Sequence, residues 1–287
     1  MYPVPFEYHR AGSVQEAVEL LARYGDGARL LAGGHSLLPL MKLRLAEPKH
    51  LVDIRRIPGL SGVREEGGAL VIGAATPHHV LERSPVVRER LPILSEAAAQ
   101  IGDPQVRNMG TLGGSLAHAD PAADLPAVVL AVGAELSVAG PKGKRTIPVD
   151  GFFLKLFTTV LGPDEVLTEV RIPLPSRGTG GAYAKFPHPA SRYAIVGVAA
   201  VVTVASRKIT AARVAITGVG AKVVRASATE AALTGQAAEA GVVASAAAKA
   251  AEGLTVRSDA RMDPDYWRAL TVAFTRRAVA TALERAG

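Results

Sequence analysis

LLAGGHSLLPLMKLRL, residues 30–45, decides how the first part of this chain folds. Two adjacent glycines interrupt an apolar run, a histidine and a serine follow, and an apolar pattern then resumes. Such a break forgoes side-chain packing and adds backbone entropy, so bare backbone is needed there. Upstream, ARLLA (28–32) has the size of a buried strand and runs straight into the glycines. Downstream, Ser36 is placed to cap a helix reaching Leu45, with Pro39 harmless in its first turn. SVQEAVELLARY (13–24) predicts a helix capped by Ser13, with Glu16 completing a capping box. HLVDI (50–54) is the next strand. Residues 1–57 thus read as strand, helix, strand, helix, strand, a small α/β unit.

From about residue 58 the pattern changes. ALVIGAA (69–75), AELSVAG, KRTIPV and EVLTEVRIP (165–173) read as strands. TPHHVLER (76–83) reads as a short helix capped by Thr76, its His78–His79 pair solvated, and LPILSEAAAQI (91–101) as a longer helix. VRNMGTLGGSLAHADPAAD (106–124) is expected to be irregular, and PAADLPAVVLAVG (121–133) helical from Pro121. PLPSRGTGG (173–181), rich in proline and glycine, is the expected linker. Beyond it, AYAKFPH, IVGVAAVVTVA and TAARVAITGVG predict a three-stranded sheet backed by helices. In the last helix Trp267, Leu270, Phe274 and Ala278 share one apolar face. The chain therefore divides into 1–176 (parts 1–57 and 58–176) and 177–287.

The 287 residues are 48% apolar and 21% charged, which fits a globular protein with a full core. No apolar run is long enough to span a membrane, and MYPVPFEYHR has no signal-peptide character, so a cytoplasmic location is expected. The chain has no cysteine, which excludes disulfides, thiolate metal ligands and iron–sulfur clusters of its own. Its net charge of +7 is scattered and lacks stacking aromatics or zinc-finger spacing, which argues against nucleic acid. An anionic ligand or an acidic partner uses that charge equally well.

The glycine pair of AGGHS (32–36) recurs in TLGGSLAHAD (111–120), again followed closely by serine. A glycine pair lets consecutive N–H groups converge on one concavity with no Cβ in the way, an anion nest. One pair alone reads as a tight turn, whereas two matched pairs suit a ligand with adjacent phosphates. The usual nucleotide motifs are missing: GVGAKV and GDGARL lack the third glycine of a Rossmann fingerprint, and Gly143–Lys144 is followed by Arg145 instead of serine or threonine. His118, Asp120 and Asp124 have loose metal-ligand spacing, but their context disfavours a metal, and none is expected. Asp124 can cap the helix or meet a ligand hydroxyl. Neither a hydrolase elbow nor an acid–base pair is present, so no catalytic side chain is expected.

LLAGGHSLLPLMKLRLAEPKHLVDI and DPQVRNMGTLGGSLAHADPAADLPA together resemble the two signature segments of the FAD-binding medium subunit of molybdenum hydroxylases, most of all the carbon monoxide dehydrogenase type. The resemblance covers essentially the whole chain. It implies an α+β fold: a two-part FAD-binding domain of vanillyl-alcohol-oxidase (PCMH) type, then a smaller α+β C-terminal domain. It implies that Ala32, Gly33, Gly34, His35 and Ser36 form one pyrophosphate loop and Thr111, Leu112, Gly113, Gly114 and Ser115 the other. By the same resemblance Asp124 contacts ribose, Leu167 packs beside the cofactor, Lys185 lies near the flavin ring and Tyr193 covers one of its faces. KFPHPASRYAIVG departs from the KRKxGDxA pattern of the carbon monoxide enzymes. The implied partners are a small iron–sulfur subunit with two 2Fe–2S clusters and a large molybdenum-cofactor subunit, arranged as a dimer of heterotrimers. Electrons would pass from those clusters through FAD to an external acceptor.

Overall fold

A computed structural model describes residues 2–256 and 263–287. In its first part, the strands run in the order Glu7–Arg10, His50–Asp53, Ala28–Leu31, all parallel. Helix Val14–Tyr24 buries Ala17, Val18 and Leu21 against Val52 on one face of this sheet. Its cap is a variant of the expected box: Ser13 accepts the Glu16 N–H, while the Glu16 carboxylate accepts from Gly12. On the other face Met41 packs against Leu31 and Leu51. The helix carrying Met41 spans only Leu37–Lys42, stopping short of Leu45, and Ser36 makes no side-chain cap. Leu43 and Leu45 are exposed, so burial gives the helix no reason to continue, and Arg44 turns left-handed.

The middle part is an antiparallel sheet ordered Val63–Glu66, Ala69–Gly73, Val166–Pro173, Glu135–Gly140, Gly143–Pro148. Short helices cover it, and four of them depart from the sequence reading. Thr76 caps nothing: its hydroxyl bonds the backbone of Gly62, and the helix His78–Arg83 starts behind Pro77. The stretch read as irregular takes in the end of one helix, Pro104–Met109 capped by Asp103, and the whole of another, Leu112–His118 capped by Thr111. Caps and the complete burial of Leu112 and Leu116 outweigh the poor helix propensity of its glycines. Pro121 does not begin the next helix, which spans Leu125–Ala131. The Pro121 carbonyl instead accepts from the Thr217 hydroxyl and the Gly218 N–H, which ties this turn to the third sheet.

That sheet is antiparallel, in the order Thr179–Pro187, Ala194–Ala205, Lys208–Thr217, Val224–Arg225. The last strand, two residues long, adds to the expected three. One face receives helix Pro264–Ala286, with Trp267, Phe274 and Ala278 buried and the Trp267 indole N–H donating to the Ile195 carbonyl. The helix approaches so closely that a Cβ on Gly180 would lie 2.0 Å from the Ala282 carbonyl oxygen. Tyr183, Ala199 and Ala215 belong to the core of the middle part. The third sheet is therefore clamped between its own helix and that core. Among the described residues, no helix is long and apolar enough to cross a membrane.

Candidate functional site

A cavity of about 620 Å³ opens where the three sheets' loops meet, a volume typical of cofactor pockets. Both glycine loops line it, joined by Leu167 from the central strand and Tyr193 from the turn between the first two strands of the third sheet. Of the residues proposed from the sequence, only Leu112 and Lys185 lie outside its wall. Leu112 is fully buried in the middle core.

The two loops use their glycines differently. At the first, a Cβ on Gly33 would sit 2.1 Å from the Met109 carbonyl oxygen, so bare Cα lets this loop abut the segment leading into the second. Gly34 has φ +76°, a conformation glycine adopts without strain. Among the described residues, none of the N–H groups of Gly33, Gly34, His35 and Ser36 has a protein acceptor. The second loop is the opposite case. Leu112 donates to Thr76 O, Gly113 to Ala74 O, Gly114 to the Thr111 hydroxyl and Ser115 to Thr111 O. Unused backbone donors are thus concentrated on the first loop. His35 is held by its ring, through Nε2 and the Gln105 carbonyl at 3.2 Å.

Asp124 occupies the N-cap position of Leu125–Ala131 yet caps no N–H there. Its carboxylate is 5% exposed and is held from the third sheet instead: the Tyr183 hydroxyl donates to Oδ1 at 2.5 Å and Lys185 Nζ to Oδ2 at 2.9 Å. Lys185 also donates to the Gln100 carbonyl. Burial pushes the Asp124 carboxyl upward, and the Lys185 ammonium and the Tyr183 hydroxyl oppose that rise. Burial and the neighbouring carboxylate together hold the Tyr183 phenol well above its ordinary range. The triad fixes the third sheet to the cavity wall.

His78, expected to be solvated, is buried against the cavity, and its Nδ1 has no partner. Burial, and secondarily the charge of His35, lowers its pKa to about 4, so the ring is neutral at physiological pH. Gly110 makes room for it, since a Cβ there would lie 2.8 Å from the ring. No local pattern betrays this, because Gly110, which packs against the ring and accepts the His78 N–H, comes from a distant part of the chain. Arg29 and Arg192 also line the cavity and were not singled out from the sequence. Arg192, left-handed at φ +63°, precedes Tyr193 in a turn whose conformation the sequence does not reveal. Tyr193 lies beside the Ser36 hydroxyl, and partial burial lifts its phenol pKa. His118, Asp120 and Asp124 do not converge as a metal-ligand group among the described residues.

Residues 4–175 match the FAD binding domain in molybdopterin dehydrogenase, and residues 181–282 the CO dehydrogenase flavoprotein C-terminal domain. The chain is 46% identical over 285 residues to the carbon monoxide dehydrogenase medium chain of Hydrogenophaga pseudoflava, covering 99% of both chains. It is 39% identical to the 6-hydroxypseudooxynicotine dehydrogenase complex subunit alpha of Paenarthrobacter nicotinovorans, covering 100% of this chain and 97% of that one. Its fold superposes with TM-score 0.96, at 48% identity and 99% coverage of both chains, on carbon monoxide dehydrogenase from Hydrogenophaga pseudoflava lacking the Mo-pyranopterin moiety of its cofactor.

Proposed function

The chain belongs to the FAD-binding subunits of molybdopterin dehydrogenases, and on that premise we propose that it serves a dehydrogenase of the carbon monoxide type. It is an FAD-containing oxidoreductase subunit. FAD, when bound, accepts electrons singly and passes them on in pairs, a chemistry that belongs to the cofactor while the protein binds and tunes it. The observation that carries the reading is the row of unused N–H donors, Gly33 to Ser36, on the wall of a cofactor-sized cavity.

Gly33, Gly34, His35 and Ser36 would hold the FAD pyrophosphate through those N–H donors, with Ala32 beside them. Thr111, Gly113, Gly114 and Ser115 close the opposite side, and Leu112 anchors that loop from the core. Arg29 and Arg192 supply positive charge to the same cavity. Asp124 would meet the ribose hydroxyls, with Lys185 holding its carboxylate in place. Leu167 and Tyr193, both on the cavity wall, would hold the flavin ring system. Among the described residues we assign no catalytic acid, base or nucleophile, and the buried, neutral His78 adds shape without charge.

The domain division 1–57, 58–176 and 177–287 is part of the same reading, supported by three sheets that occupy successive stretches of chain. The partners are a small subunit with two 2Fe–2S clusters and a large molybdenum-cofactor subunit, in a dimer of heterotrimers in the cytoplasm. The substrate is carbon monoxide, on the strength of the 46% identity to that medium chain. An N-heterocyclic substrate is the second reading, favoured by the relationship to the nicotine-derivative dehydrogenase.

Purification of the native complex tests this. The expected result is yellow protein with one FAD per chain, copurifying molybdenum and iron, and activity with carbon monoxide in a screen that includes purines, aldehydes and N-heterocycles. Turnover of any of these by the isolated chain, or a complex free of molybdenum, overturns it.

A further inference from the structure

The cavity leaves one cluster of ligating side chains unused, on the far edge of the first sheet. Glu7 and His9 lie two residues apart on the edge strand, so both side chains project from the same face. His50 on the neighbouring strand is the register partner of Glu7, and Tyr8 points the opposite way, donating to Asp53. Parallel pairing thus brings Glu7, His9 and His50 together on one surface.

Their ligand atoms form a closed triangle. His9 Nε2 and His50 Nδ1 are 3.1 Å apart, and Glu7 Oε2 is 3.7 Å from the first and 3.4 Å from the second. A tetrahedral zinc ion with bonds of about 2.0–2.1 Å separates its ligand atoms by roughly 3.3–3.4 Å. The three sides bracket that separation. The donor set, two imidazoles and one carboxylate, suits a borderline divalent cation such as zinc.

The rings are held in position. Tyr24, at the end of the first helix, stacks on His50 with centroids 3.8 Å apart and on His9 at 4.9 Å. Both imidazoles are largely buried, with side-chain exposures of 21% and 18%, whereas Glu7 at 70% faces water and leaves an approach open. The site is independent of the flavin cavity, since none of the three residues lines it.

We infer that Glu7, His9 and His50 form a surface zinc-type site that clamps the edge strand to the sheet. An ion there bridges residues separated by some forty positions in the chain and binds the folded state alone, so it raises stability by mass action. This departs from the expectation of no metal drawn from residues 118–124, which concerned a different cluster.

The test uses the FAD-loaded full chain, stripped with a chelator and dialysed against zinc chloride. One zinc per chain and a higher melting temperature on zinc addition are expected. His9→Gln and His50→Gln lose both effects, and His79→Gln keeps them. Glu7→Gln changes a side chain too exposed to disturb the core, so its weaker zinc uptake with unchanged FAD content separates ligation from misfolding. No uptake by the native chain, or uptake unchanged in both ligand-histidine variants, overturns the site and leaves a hydrogen-bonded histidine pair only.

Discussion

The two glycine loops look alike in sequence and behave differently in space. AGGHS keeps its N–H groups free and spends its glycines on a close approach to Met109 and on a left-handed turn. TLGGS winds into the first turn of a helix, and the N–H groups of residues 112–115 are all taken by the protein. Its surroundings are equally braced: His78 is packed against Gly110, and Asp124 is held by Lys185 and Tyr183. A repeated motif therefore divides the work, one copy offering donors and the other holding shape.

The strongest way to break this contrast is to put a side chain on each loop. Gly33→Val drives a Cβ into the Met109 backbone and is expected to abolish FAD retention, measured as flavin absorbance per chain after gel filtration. Gly114→Ala meets only the Thr111 hydroxyl, which can rotate away at the loss of one cap, so FAD binding is expected to weaken by roughly tenfold or less, about 1 kcal/mol. Equal losses in the two variants would show the loops to be equivalent.

Removing the brace comes next. Asp124→Ala leaves the Lys185 ammonium buried without its counter-charge and is expected to cost about 3–5 kcal/mol in denaturant unfolding. Lys185→Met on that background should recover part of the loss, because the stranded charge disappears. A cost near zero for Asp124→Ala would mean that the triad braces nothing.

His78 sharpens the contrast through pH. An unfolded imidazole titrates near 6.5, whereas the buried ring titrates near 4. The stabilisation from its neutrality is complete above pH 6.5 and declines as pH falls towards 4, because only the unfolded chain takes up the proton there. The decline amounts to about 3 kcal/mol. His78→Gln should flatten the stability profile between pH 6.5 and 4; an unchanged slope would assign the titration to other groups.

The smallest effect belongs to the exposed partner of the first loop. Tyr193→Ala is expected to shift the flavin spectrum or its reduction rate while changing FAD affinity by less than about threefold. Unchanged spectra and rates would remove Tyr193 from the ring contacts.

Much of this was legible in the chain. The strands ARLLA and HLVDI and the glycines between them follow from periodicity and backbone chemistry, and the structure contains both strands, each one residue shorter. The last helix shows its apolar face in the spacing of Trp267, Leu270, Phe274 and Ala278, of which Leu270 is only partly buried. Helix ends were harder: Ser36 and Thr76 have the right chemistry for caps, yet neither caps, because Thr76 is recruited by Gly62 and Ser36 takes helical backbone angles. The stretch 106–124 misled because glycine, asparagine and histidine lower helix propensity, while burial of Leu112 and Leu116 decides the outcome.

The sequence by itself determined that two glycine loops exist, that no cysteine chemistry is available, and that the chain resembles flavin-binding subunits. Local chemistry suffices for those statements, since backbone freedom and residue type act within a few positions. Only the tertiary structure decided which loop keeps its donors, that Asp124 answers to Lys185 and Tyr183, that His78 is dry, and that Glu7, His9 and His50 meet. Each of these depends on which distant segment arrives to use a hydrogen bond, exclude water or complete a triangle, and such partners lie tens of residues away along the chain.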